Sequence, residues 1–210
     1  MESDAAVSPE GKGAQTRRVI LDAAIARFGR DGFRSTSVAD IARDAGVGGT
    51  AAYAYFPGKE ALFLAAVDED AAAVIEEGLS SAMAEDSARV WRRQLVNVLI
   101  GALDHHPLAR RLLAGLEPEV TVRVLEIPAL EELRKALADK LRSEQLDGTV
   151  RMDIEPVSMA NAVVAVMLSL LMSVVQLGER ASDLYGDDIA TLFEAAIERT
   201  PPEVPGGRAG

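Results

Sequence analysis

The chain has 210 residues, room for one large or two modest domains, and 49% of them are hydrophobic, enough to bury a sizeable core. It has no cysteine, which excludes disulfides and thiolate metal sites. The net charge of −11 argues against a nucleic-acid binder only until its distribution is followed: residues 1–10 carry −3, residues 11–59 carry eight Lys/Arg against four Asp, a net +4, and residues 60–210 carry −12. A small basic head on an acidic body suits DNA binding, because a local basic footprint sets the contact while the acidic remainder keeps the chain soluble and oriented.

Residues 1–10 read as a disordered tail, with neither the basic start nor the apolar run of a secretory signal, so a cytoplasmic (nucleoid-associated) protein is the default. Lys12, Arg17 and Arg18 begin a helix over about 13–30, striped by Leu21, Ala24, Ile25 and Phe28 and ended by Gly32. Its basic start offers phosphate contacts through Arg17 and Arg18, or is merely solvated. Val38, Ile41, Ala42 and Ala45 then mark one face of a short helix, capped by Thr36 or Ser37, both also counted as DNA-contact candidates, and ended by Gly46. A second short helix, about 48–56, stops at Pro57-Gly58. Two short helices joined by a Gly-containing turn make a helix-turn-helix, whose second helix enters the DNA major groove. Gly48, Gly49, Thr50 and Ala51 are small enough to let that backbone approach base edges, and the methyls of Thr50 and Ala51 can touch a thymine methyl. Tyr53, Tyr55 and Lys59 carry donors suited to phosphate, although one tyrosine could equally be a core aromatic with a polar tip.

A long helix over about 58–78 starts in this motif and leaves it, so it can tie head to body rigidly. A helix over about 87–105 is apolar on most sides and therefore buried. After Pro107 the pattern predicts helices at 108–116, at 119–126, and from Pro128 to about 146, the last striped by Leu130, Leu133, Leu137 and Leu141. Residues 158–177 are the most apolar segment, but Asn161 and Gln176 bracket it too closely for a membrane span. Ser158, Ala162, Ala165, Ser169 and Ser173 line it with small side chains that let another helix pack close. Asp187-Asp188 opens a final helix striped by Ile189, Leu192, Phe193 and Ala196, and residues 201–210 form a disordered tail. The fold class is all-α: an N-terminal three-helix domain over 11–60 and a larger helical bundle over 61–200.

The text I-L-D-A-A-I-A-R-F at 20–28, D-G-F at 31–33, T-S-V-A-D-I-A at 36–42, A-G-V at 45–47 and Y-A-Y-F-P-G-K-E-A-L-F at 53–63 resembles the DNA-binding domain of the TetR family of bacterial repressors. The resemblance implies a homodimer paired through its last two long helices, here about 156–178 and 187–199, seated on a palindromic operator of double-stranded DNA. It also implies a small-molecule effector pocket in the body. Two departures stand out: Gly48-Gly49 replaces the Ser then Lys or Arg that often opens the recognition helix, and Ala39 stands where Arg is common. Fewer phosphate contacts follow.

Polar side chains among apolar neighbours are the usual signature of such a pocket. Trp91, Gln94, Asn97, Asn161 and Gln176 qualify, with Met159, Met167 and Met172 as adaptable walls, although for each an ordinary satisfied core or surface position is the stronger reading. Arg92, on the apolar side of its helix, either forms a salt bridge or meets an anionic effector. His105-His106 reads as a helix end rather than a metal site, because adjacent helical residues do not face one point. No nucleophile, zinc or phosphate-loop motif is present, so neither an enzyme nor a cofactor is expected. The resulting expectation is a sequence-specific regulator, a repressor released from its operator by a small, largely hydrophobic ligand. The alternative is a constitutive architectural DNA-binding dimer with no effector.

Overall fold

The computed structural model describes residues 9–83, 97–118, 126–178 and 180–198. Its helices are α1 (Pro9–Ser35), α2 (Val38–Asp44), α3 (Ala51–Tyr55), α4 (Lys59–Met83), a helical stretch over 97–102 (α5), α6 (Pro107–Leu113), α7 (Pro128–Leu146), α8 (Pro156–Leu177) and α9 (Arg180–Ile197). The fold is all-α, a three-helix head continued through α4 into a helical body.

The head closes on the face that the sequence stripes. Ile20, Leu21, Ala24 and Phe28 of α1 pack with Val38, Ile41 and Ala42 of α2, Ala52 and Phe56 around α3, and Leu62, Phe63 and Ala66 of α4, all buried. Phe63 lies edge-on to both Phe28 and Phe33, at 4.9 Å between ring centroids in each case, which adds directional attraction to the area buried. Salt links join α1 to α2. Arg27 reaches Asp44 at 2.5 Å, Asp31 at 3.5 Å and Asp40 at 4.0 Å. Arg30 holds Asp31 below the usual carboxylate range, mainly through its hydrogen bonds. The Ser37 hydroxyl, then Arg43, does the same for Asp40.

In the body, the described buried core is aliphatic plus Met167. α8 buries Ala160, Val164, Met167, Leu170, Leu171 and Val174, and packs against α7 on one side and α9 on the other. Glu155 caps α8, accepting from the Val157 and Ser158 N–H groups at 3.0 and 2.7 Å, and these bonds hold its carboxyl below its ordinary range. Beyond α7, Val150 pairs with Glu198, so the end of α9 closes over a satellite cluster of Leu141, Val150 and Ile197.

α6 is a short piece that packs against α1, α4 and α8. Pro107 sits so close to Gly29 of α1 that a Cβ there would meet its ring at 2.8 Å. Asp70 of α4, only 3% exposed, accepts from the Ala109 N–H at 2.8 Å and lies 2.8 Å from Nδ1 of His106. At Gly32 the backbone turns to φ +79 and breaks α1. The Phe33 N–H freed there donates to Glu117 Oε1 at 3.1 Å, and the same oxygen accepts from Arg111 Nε at 2.7 Å. Gly32 has no room for a side chain, since a Cβ would press on that pair.

Several boundaries differ from the sequence reading. α3 starts at Ala51 rather than near 48, because Gly48 and Gly49 stay in the turn and Thr50 is the cap residue. α9 starts at Arg180, so Asp187 and Asp188 sit inside a helix on its solvent side instead of opening it. The predicted helix at 119–126 and the front of 87–105 lie outside the described residues, with Trp91, Arg92 and Gln94. α8, Pro156–Leu177, matches the expected span of about 156–178. By length and hydropathy alone it is apolar enough to cross a membrane, with a third of its most apolar window (33%) buried in protein. Uncharged amides do not interrupt a span as charges do, and the same composition fits the core helix of a helical body.

Candidate nucleic-acid interface

The two short helices of the motif are set by local chemistry. Ser37 is the cap of α2: its hydroxyl accepts from the Asp40 N–H at 3.1 Å and donates to Asp40 Oδ2 at 2.7 Å. Gly46, at φ +67, turns the chain out of α2, a conformation that costs glycine little. The chain then presents Gly48, Gly49 and Thr50 to solvent, and Thr50 spends no side-chain hydrogen bond on capping α3. Within α3, Ala52 faces the core while Tyr53, 55% exposed, and Ala54 face outward. Thr50, Tyr53 and Ala54 stand three and four residues apart and so share one outer stripe.

The sequence-chosen DNA residues fall into three groups. Gly48, Gly49, Thr50, Tyr53 and Ser37 lie on the surface, with Ala51 half-buried at the start of α3. Tyr55 is half-buried against α1, its hydroxyl near Gly13, so it is the tyrosine with the packed body and polar tip. Lys59 is half-buried too: Nζ stands 4.4 Å over the Phe33 ring and donates to the Arg34 carbonyl at 3.4 Å. The remaining residues are committed elsewhere to different degrees. Arg17 is exposed, with its guanidinium 5.0 Å over the Phe56 ring. Arg18 pairs with Asp22 at 2.9 Å and with Glu69 of α4, which competes with a phosphate role. Thr36 is a correction: it is buried, and its hydroxyl donates to the Gly32 carbonyl at 2.8 Å, so it braces the break in α1 and cannot reach DNA. The sequence reading passed over Ala54, although its four-residue spacing from Thr50 was visible.

Residues 20–66 match the family model described as bacterial regulatory proteins, tetR family. The match covers under a quarter of the chain, from within α1 to the start of α4. Over 92 residues, 43% of this chain, it is 32% identical to YuxN of Bacillus subtilis, an uncharacterized HTH-type transcriptional regulator. That match covers 32% of YuxN, so the chain spans about a third of the length of this curated relative. Among solved structures it resembles a TetR transcriptional regulator from Chloroflexus aurantiacus, at TM-score 0.64 and 21% identity over 90% of this chain and 99% of that one. It also resembles the fatty acid degradation regulator FadR of Bacillus halodurans, at TM-score 0.66 and 18% identity over 88% and 97%. At these identities the likeness speaks for the fold.

The body holds a cavity of about 70 Å³ between α4, α5, α6, α7 and α8. Among the described residues its lining is wholly apolar and includes Val74 and Ile75 of α4, Leu112 and Leu113 of α6, Leu133 of α7 and Met167 of α8. Met167 is therefore the one sequence-chosen pocket residue on the described wall. Asn97 and Asn161 are corrections: both lie on the solvent sides of their helices. Gln176 is also outside the cavity, where its amide donates to the Leu113 carbonyl at 2.9 Å and ties α8 to the end of α6. The two histidines lie between helix ends, as the sequence reading has them. In the turn before α6 they can converge, and His105 Nδ1 and His106 Nε2 reach the Glu77 carboxylate at 3.2 and 3.3 Å. The imidazoles, His105 first, hold Glu77 below its usual range.

α8 and α9 share an outward face. Ser158, Ala162, Ala165 and Ser169 are exposed on α8, and Ser173 is half-buried. The Ser169 and Ser173 hydroxyls donate back to the Ala165 and Ser169 carbonyls, so this face presents mostly hydrocarbon. On α9, Leu192 is 64% exposed beside half-buried Ile189, Phe193 and Ala196.

Proposed function

We propose that this chain is a homodimeric transcriptional repressor that binds a palindromic double-stranded operator and is released from it by a small, largely hydrophobic ligand. The observation that carries the reading is the outer edge of α3. Gly48, Gly49, Thr50 and Tyr53 stand clear of the core, in a net-positive head attached to a net-negative body. Two heads must be paired to span successive major-groove turns, roughly 34–36 Å apart. The exposed hydrocarbon face of α8 and α9 is suited to a two-fold contact, because one patch repeated on both copies satisfies such symmetry. A dimer across its operator excludes other proteins from that DNA, which is repression by occupancy.

Ligand release has a physical basis in the cavity. Its volume is well under the roughly 300 Å³ at which small-molecule sites begin, so an occupant must move the walls. Those walls include α4, whose first turn is in the head, and α6, which abuts α1 at Gly29 and Gly32. A ligand that binds the displaced form better than the DNA-bound form lowers DNA affinity by that difference. The apolar lining favours an uncharged chain or ring over an ion.

The test is a duplex-binding titration at several salt concentrations, with sedimentation to report mass and a panel of apolar ligands added last. Dimeric mass and salt-dependent duplex binding are expected, with Arg17→Ala lowering the salt slope by about one. A monomer without duplex affinity would sink the reading. Duplex binding indifferent to every apolar ligand would favour the architectural dimer instead.

A further inference from the structure

Resting on the reading of α3 as the groove-entering helix, we infer that this protein reads its operator by thymine methyl groups and not by bidentate pairs to purine edges. The basis is what α3 and its approach lack. Residues 45–58 contain no Arg, Lys, Asn, Gln, Asp, Glu or His. Guanine is read by a guanidinium or ammonium across O6 and N7, and adenine by an amide across N6 and N7. No side chain in this stretch can make either bidentate pair.

The outward stripe offers other chemistry. Thr50 presents a methyl and a hydroxyl, Ala54 a methyl, and Tyr53 an aromatic ring with a phenolic O–H, all exposed. Gly48 and Gly49 are exposed, with open space where a side chain would be, so nothing holds the helix start away from the groove floor. Methyl-bearing side chains brought this close match the thymine C5-methyl, the one apolar group in the major-groove pattern.

The neighbouring cations do not replace the missing readers. Arg43 is held by Asp40, Lys59 by the Phe33 ring and the Arg34 carbonyl, and Arg17 stands over Phe56. They flank α3 and supply charge to the phosphates, which position the head without reading sequence.

The full chain is used to select duplexes from a randomised pool. The selected duplexes are then remade twice: with deoxyuridine in place of thymidine, which deletes only the methyl, and with 7-deazaguanine in place of guanine, which deletes only N7. The expected result is about a fourfold loss of affinity per contacted thymine, the worth of one buried methyl group, and no loss with 7-deazaguanine. In Thr50→Ser, which keeps the hydroxyl and drops the methyl, the deoxyuridine penalty should vanish at one position in each half-site. A tenfold or larger loss with 7-deazaguanine overturns methyl readout while leaving the regulator reading intact. So does a deoxyuridine penalty that Thr50→Ser leaves unchanged at every position, since the methyl would then act through DNA shape. A pool that yields no salt-sensitive duplex binding defeats both readings together.

Discussion

Head and body are both helical, but they are packed by different means. The head interlocks three phenylalanines at fixed angles and ties α1 to α2 with a guanidinium–carboxylate network. The described body core is aliphatic apart from Met167 and leaves a cavity. Aromatic rings and ion pairs fix orientation, whereas aliphatic walls can repack at small cost. A part that must present Thr50 and Tyr53 in one geometry needs the first kind of packing. On the proposed function, the body has to change shape when a ligand binds, and that needs the second.

The most damaging break in this contrast is Phe63→Ala. It removes the ring shared by Phe28 and Phe33 from a site that is fully enclosed. The expected loss is about 3–5 kcal/mol, read by urea denaturation, with DNA binding lost alongside. Next comes the joint between the regions. Gly29→Ala sets a methyl against the Pro107 ring and backbone, which cannot swing aside, and should cost about 1–3 kcal/mol. Gly78→Ala meets the end of the Leu99 side chain instead. That side chain can change rotamer, so the variant should melt closer to the parent. Equal melting points for the two would show that α6 is not clamped to α1.

A smaller effect on stability, but a sharp one on response, is expected from filling the cavity. Ala71→Leu projects into space already open between α4 and α8 and should change stability by less than about 1 kcal/mol. Duplex binding should persist while release by apolar ligands disappears. Retained release would place the effector elsewhere.

Much of this contrast was legible beforehand, because periodicity reports which face is buried. The stripes of α1, α2 and α7 lead directly to Phe28, Ile41 and Leu133 in the core. The basic head stood out by charge count alone. What the sequence concealed was the joint. Nothing local to Gly32 announces a carboxylate 85 residues downstream that accepts the Phe33 N–H, and the burial of Thr36 follows from that same break. The polar residues chosen for the pocket missed its described walls for a related reason. Asn97 and Asn161 satisfy their amides in solvent, and the described walls of the cavity carry no polar group to betray it.

The smallest expected effect concerns acid, and it separates the regions by mechanism. In the head, Asp40 is held below its usual range by the Ser37 hydroxyl, Arg43 and Arg27, and Asp31 by Arg30 and Arg27. In the body, Glu155 is held low mainly by backbone N–H groups of Val157 and Ser158. Each of these carboxyls binds its proton less readily folded than unfolded. Each therefore contributes stability that is complete above its ordinary value, near 4, and that drains away as pH falls through and below that value. Salt screens exposed ion pairs but leaves a capping hydrogen bond largely intact. Asp40→Asn should thus flatten the stability profile below about pH 4 in dilute buffer, with the difference shrinking in 1 M salt. Glu155→Gln should flatten it by an amount that salt barely changes. Matching salt responses for the two variants would show that the head network is solvated and that the head owes its rigidity to its aromatic packing alone.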